Sequence, residues 1–191
     1  MSAPTPDSTG ATWLQPILEG QTLRLRPLCA DDFEALYAAA SDPLIWEQHP
    51  EPLRYRRDVF TALFEGALSS GGALLVMLRD SGRVVGTSRY YDWAPGRGAV
   101  AIGYTFLTRD LWGGPANAEM KRLMLEHAFR WVQTVWFHVG PRNVRSQKAL
   151  EKIGARYSHR EVRPGGGTLD DRLFYRLDAR DFRHDSRDET G

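Results

Sequence analysis

The stretch from Ala99 to Ala155 switches its hydrophobic period repeatedly, and that alternation constrains the fold more than any other feature. Ala99–Leu107 reads as a strand, Arg109–Ala116 as a glycine-bearing loop and Asn117–Trp131 as an amphipathic helix. Val135–Val139 returns to strand, and Asn143–Ala155 is a polar loop passing into a helix. A loop feeding a helix start is suited to holding phosphates. The first helical N–H groups have no internal partners, and the helix dipole adds partial positive charge. Gly113 and Gly114 allow close approach to the backbone, while Pro115 loses an N–H that a first turn does not need. A plain turn before a helix uses the same residues.

The rest of the chain supplies the partners of this unit. Thr22–Pro27 alternates polar and apolar residues and ends on proline, as a short strand does. Asp31-Asp32 offers an N-cap for a helix running to about Ala40, and Ser41-Asp-Pro43 stops it. Leu44–Pro52 is a loop rich in aromatic and ionisable residues. Val59, Phe60, Leu63, Phe64 and Ala67 then share one helical face, which Ser69–Gly72 terminates. Ala73–Leu78, the turn Asp80-Ser-Gly82 and Arg83–Tyr91 predict an antiparallel pair. On the central helix Met120, Leu123, Met124, Ala128 and Trp131 form the core stripe. After Ala155 come a strand, a Gly165–Gly167 loop and a strand through Leu177. Together these predict a mixed-sheet α/β domain over residues 16–183, between an N-terminal tail (1–15) and a polar C-terminal tail (184–191).

Composition narrows the function. The 191 residues carry 25 basic and 24 acidic side chains, so no basic excess points to nucleic acid. No signal-peptide pattern opens the chain, and no apolar run approaches the roughly 20 residues that span a bilayer. A cytoplasmic protein without a membrane partner is expected. The single Cys29 cannot form an internal disulfide and fits a small buried hydrophobe in a reducing compartment. The histidines are scattered without ligand spacing, so no metal is expected.

Asn143, Ser146 and Lys152-Ile-Gly-Ala155 give the spacing N-x-x-S-x-x-x-x-x-K-x-G-A. With the strand, loop and helix before it, this pattern resembles the GNAT superfamily of acyl-CoA-dependent N-acyltransferases. It is most similar to the Rim-type branch that acetylates ribosomal-protein N-termini. The resemblance runs from about Leu23 to Leu177. It implies a mixed, mostly antiparallel central sheet with flanking helices, in which strands four and five are parallel and splay apart to form the cofactor cleft. Acetyl-CoA is then the co-substrate, and a primary amine is the acceptor, attacking the thioester directly. The backbone near Phe106 and Leu107 is implied to meet pantetheine and the thioester oxygen, and the loop with Trp112, Gly113, Gly114, Ala116 and Asn117 to receive the pyrophosphate. Asn143 and Ser146 are implied to face the pantetheine arm and the departing sulfur.

The chain departs from the superfamily's Q/R-x-x-G-x-G/A signature. Trp112 takes the first position, Pro115 the first glycine and Asn117 the last place. Asn117 reads either as a phosphate donor or as a helix cap, and Asn143 as a cofactor contact, a cap or both. Leu150 stands where many members carry a tyrosine acid, leaving Ser146 or water to assist the thiolate. Ala99–Leu107 holds no acid, so His49, Asp92 and Glu47 become the candidates for general base. Tyr104 could line the cleft or pack in the core, while His127 and His138 lie on core elements. Trp46, His49, Tyr90, Tyr91 and Trp93 suggest an aromatic acceptor wall. A non-catalytic acyl-CoA-binding module on the same fold is the alternative, and a homodimer is left open.

Overall fold

The computed structural model describes residues 12–162 and 171–182. The strands are β1 (Leu18–Glu19), β2 (Leu23–Pro27), β3 (Ala73–Leu78), β4 (Val84–Ala94), β5 (Ala99–Leu107), β6 (Thr134–Val139), β7 (Arg156–Val162) and β8 (Asp171–Asp178). The helices are α1 (Phe33–Ala40), α2 (Arg57–Ser69), α3 (Ala116–Ala128) and α4 (Val144–Lys152). All eight strands join one sheet in the order β1-β2-β3-β4-β5-β6-β8-β7. Its pairs are antiparallel except β5 with β6, which the crossover helix α3 joins in parallel. The expected parallel strands four and five are therefore β5 and β6, because the two-residue β1 precedes them.

Strand alternation divides the core between the two faces of the sheet. Leu23, Leu25, Val76, Tyr90, Ile102 and Phe137 meet Met120, Met124 and Leu125 of α3 and Leu150 of α4 on one face. Leu75 and Phe106 meet Leu36 of α1, Phe60 and Phe64 of α2, and Trp46 on the other. Gly86 sets how closely β4 and β5 approach: a Cβ there would lie 2.1 Å from the Phe106 carbonyl oxygen. Among the described residues no helix is long and apolar enough to cross a membrane.

Several sequence expectations need correction. The tail assigned to residues 1–15 already belongs to the core at Trp13 and Leu14, both buried. Trp13 packs on Tyr90 and Trp93, and its carbonyl oxygen lies 2.7 Å from His127 Nε2, giving His127 the structural role expected of it. Trp131 is not in the helical stripe; α3 ends at Ala128, and Trp131 stacks on Trp13 with a ring separation of 5.9 Å while 43% exposed. Cys29 is exposed, not buried. Asp32 does not cap α1 in the forward direction; its carboxylate turns back to accept from the Cys29 N–H and from Arg26. The Gly165–Gly167 loop and the C-terminal tail lie outside the described residues.

Gly86→Ala should destabilise the domain by about 2 kcal/mol, because backbone rather than a movable side chain blocks the added methyl. Urea denaturation measures this, and an unchanged midpoint would refute the account of β4–β5 spacing.

Candidate active site

β5 and β6 pair only at Ala99–Thr134, Val100–Val135 and Ala101–Trp136. β5 continues to Leu107 and β6 to Val139, so beyond the third pair the two strands diverge. Among the described residues no strand covers the edge of β5 past Ala101 on that side. Its backbone donors and acceptors there are available to a ligand.

The register between β4 and β5 shifts within the same stretch. Thr87 pairs with Phe106 and Arg89 with Gly103, so Tyr104 and Thr105 oppose Ser88 alone. This is a β-bulge, and Tyr104 adopts φ 52°, a left-handed conformation that costs a non-glycine residue roughly 1–2 kcal/mol. Tyr104 is 43% exposed, which excludes the core alternative for its side chain. Its ring lies 4.1 Å below the Arg89 guanidinium carbon and 5.2 Å from the Tyr91 ring.

Past Leu107 the chain turns into α3. Trp112 donates its indole N–H to the Leu107 carbonyl at 3.0 Å, which ties the loop to the strand end. Gly113 (φ 75°) and Gly114 are exposed, and added Cβ atoms would meet nothing within 4 Å at Gly113 and only the Leu111 oxygen, at 3.6 Å, at Gly114. Pro115 takes the cap position, and the first helical bond runs from the Glu119 N–H to Pro115 O. The N–H groups of Ala116, Asn117 and Ala118 precede it and have no intrahelical acceptor. Asn117 is inside the first turn and is not the cap. Ala116 is buried in the core below the loop.

The facing wall is the start of α4. Asn143 Oδ1 accepts from the Ser146 N–H at 3.1 Å, so Asn143 caps the helix and orders the turn that carries Ser146. Arg145 lays its guanidinium 3.8 Å over Trp112 and donates to the Ile45 carbonyl. This stack links the two walls of the cleft. Leu150 is buried in the core, so no acid stands at that place.

A family model of the acetyltransferase (GNAT) domain matches residues 22–156. The chain belongs to the GNAT acetyltransferase family. No curated protein sequence matches it. The fold is shared with a probable GNAT acetyltransferase of Chromobacterium violaceum (22% identity, 93% of this chain and 97% of that one, TM-score 0.76). A GCN5-related N-acetyltransferase of Brucella melitensis is similar too (22% identity, 92% and 80%, TM-score 0.75). So is Mycobacterium smegmatis RimJ, solved in complex with CoA-disulfide (18% identity, 85% and 84%, TM-score 0.67).

In this GNAT domain the ionisable candidates fall in different places. His49 Nδ1 accepts from the Glu51 N–H at 2.9 Å, and the Arg54 guanidinium lies 3.0 Å from Nε2. Burial first, and then the Arg54 charge, pull its pKa down to about 3. Such an imidazole is neutral and a weak base. Glu47 is exposed. Asp92 is exposed at a second bulge, with φ 50°, on the rim of a groove of about 450 Å³ that also includes Trp136, His138 and Phe174.

His138, read from sequence as structural, lines this groove and is a candidate that sequence reasoning did not single out. The Tyr91 side chain crosses over Gly103 of β5, where a Cβ would meet its ring at 2.9 Å, and its hydroxyl reaches His138 Nδ1 at 2.9 Å. The pair spans the strands where they begin to part. The alternation of β6, with Phe137 in the core and His138 half-buried on the opposite face, is the signal that could have found it. The aromatic wall shrinks accordingly. Tyr90 faces α3 and donates to the Met124 carbonyl, Trp93 packs on Trp13, and buried Trp46 donates to the Ala40 carbonyl.

The His49 shift carries a pH signature. A histidine whose folded pKa lies below its ordinary value of 6.5 contributes stability that is fully present above that value and lost as pH falls towards 3. Between pH 7.5 and pH 5 the wild type should therefore lose more unfolding free energy than His49→Gln. Equal losses in urea titrations would contradict the buried neutral imidazole.

Proposed function

We propose that the protein is an acetyl-CoA-dependent N-acetyltransferase that acetylates a primary amine by direct attack on the thioester. The observation that carries this reading is the uncovered edge of β5 at the Tyr104 bulge, adjoining a glycine loop that opens α3. The exposed Gly113-Gly114 segment and the first N–H groups of α3 suit a pyrophosphate. Trp112 would hold that loop in place from below, and Ala116 and Asn117 would present the helix start. Backbone groups around Phe106 and Leu107 would run along pantetheine. The bulge would aim fixed N–H dipoles at the thioester oxygen, an arrangement that supplies about 3 kcal/mol or more in acyl transfer. The RimJ relative holds CoA-disulfide, which supports CoA as the ligand class.

Deprotonation of the amine would run through Tyr91 and His138. The Tyr91 hydroxyl would take the amine proton as it passes its own to His138 Nδ1, leaving the phenol neutral throughout. Burial first, and then Tyr104, push the Tyr91 pKa well above the ordinary tyrosine value, so a phenolate is not the resting form. Asp92, next along β4, is the second candidate to receive that proton. His49 is better fitted to seat Arg54. Ser146 would donate to the departing sulfur, Asn143 fixing its position.

The acceptor most in keeping with the Rim-type resemblance is a protein N-terminus, with a small amine as the other candidate. The altered loop at Pro115 and Asn117, together with Leu150, favours a second reading, a non-catalytic acyl-CoA binder.

Two variants test the site, and CoA release separates the two readings. Gly114→Glu should leave the melting temperature close to that of the wild type, because its Cβ has room, yet abolish acetyl-CoA binding in calorimetry. Unchanged affinity would mean that the phosphates lie elsewhere. Ser146→Ala should lower kcat for CoA release roughly tenfold, the effect of one modest hydrogen bond. Tight acetyl-CoA binding without CoA release on any peptide or amine would favour the binding module.

A further inference from the structure

Arg89 is 8% exposed, and among the described residues its Nε has no hydrogen-bond partner. Among the described residues its guanidinium meets no carboxylate; its close neighbour is the Tyr104 ring, 4.1 Å below. Arg54 is equally buried, with an Nε that also lacks a hydrogen-bond partner. Glu51 approaches Arg54 no closer than 3.7 Å and is itself 38% exposed. Burial lowers the pKa of both guanidinium groups; on Arg54 the Glu51 carboxylate offsets part of that effect, while Arg172 and then Arg89 oppose the charge. The charge of Arg172 also reaches Tyr91 and His49.

Such an arrangement is costly. Arg89, a buried cation with no paired anion among the described residues, gives up hydration worth several kcal/mol and recovers little of it from an aromatic face. Positive charge concentrated at one point of the sheet adds repulsion. The cost is placed beside the bulge, on the sheet face that also carries Tyr91 and Tyr104, away from the Gly113-Gly114 loop. An anion entering there would find a planar guanidinium fork suited to two parallel hydrogen bonds.

We infer that Arg89, supported by Arg54, forms an anion subsite, so that the acceptor is an amine carrying a carboxylate or phosphate close to its nitrogen. This rests on the acetyltransferase reading and adds the acceptor's chemical class to it. The anion would dock on Arg89 and leave the amine beside Tyr104 and Tyr91, where the thioester would lie. The Arg89 charge, uncompensated among the described residues, then acts as a filter, since a neutral amine of the same size brings it no anion.

The test uses matched acceptors: β-alanine against its amide, O-phosphoethanolamine against ethanolamine, and peptides beginning Ser-Asp against Ser-Asn. Steady-state CoA release is measured on the wild type, Arg89→Gln and Arg89→Met, the last retaining packing on Tyr104. In at least one pair the anionic member should show a kcat/KM at least tenfold higher, and the pair that responds identifies the source of the anion. Both variants should erase that preference, while the acetyl-CoA dissociation constant stays within twofold. Equal use of both members in every pair, or a preference that survives substitution, overturns the subsite. So does a loss of acetyl-CoA affinity, which would assign Arg89 to the cofactor. If no acceptor reacts although acetyl-CoA binds, the acetyltransferase reading fails. Titration with N-acetyl-β-alanine then decides the subsite: weaker binding to Arg89→Gln supports it, and equal or undetectable binding overturns it.

Discussion

The structure depends on the limit to pairing between β5 and β6. Three residue pairs hold the strands together at Ala99–Ala101, and everything assigned to chemistry lies where that pairing stops. A parallel pair inside a sheet would normally continue for the length of its shorter strand. Here the bulge at Tyr104 and Thr105 redirects β5, and the left-handed backbone of Tyr104 stores strain that the surrounding sheet must hold. Gly86 keeps β4 close on the other side, and Gly103 makes room for the Tyr91 ring. The cleft is thus set by backbone geometry, and side chains decorate it.

Two fastenings keep the cleft walls in position. Trp112 bolts the Gly113-Gly114 loop to the end of β5 through the Leu107 carbonyl. Arg145 stacks on the same indole from α4 and ties that helix to the Ile45 loop. Trp112 replaces the first polar residue of the superfamily signature, and its role here is structural support below the loop. Pro115 and Asn117 leave the helix start open even though they depart from the usual glycines, because the N–H groups of α3 precede its first internal bond.

Much of this fold was legible in the sequence, because periodicity and turn chemistry report the local structure directly. The strand, loop, helix and strand of 99–139 and the antiparallel pair of 73–91 follow from periodicity and turn chemistry, and the Asn143 cap is one of the roles its position allows. What the sequence concealed depends on which face of a strand a residue occupies after a bulge. Tyr90 and Tyr91 are adjacent and both aromatic, yet one lies in the core under α3 and the other reaches His138. Trp13 looked like tail because no period surrounds it; its burial comes from Tyr90, Trp93 and Trp131, far apart in the chain. Arg89 reads as an ordinary alternating strand residue. Only the fold shows that it is buried with no carboxylate beside it among the described residues.

The central claim is that acetyl-CoA lies along the open edge of β5 and against the start of α3. Amide hydrogen–deuterium exchange with and without acetyl-CoA tests this directly, because it reports each backbone N–H by position. Slowed exchange is predicted at 102–107 and at 114–118, with little change on β2 and β3. Binding that left those two segments unprotected, or protected β7 and β8 instead, would contradict the account.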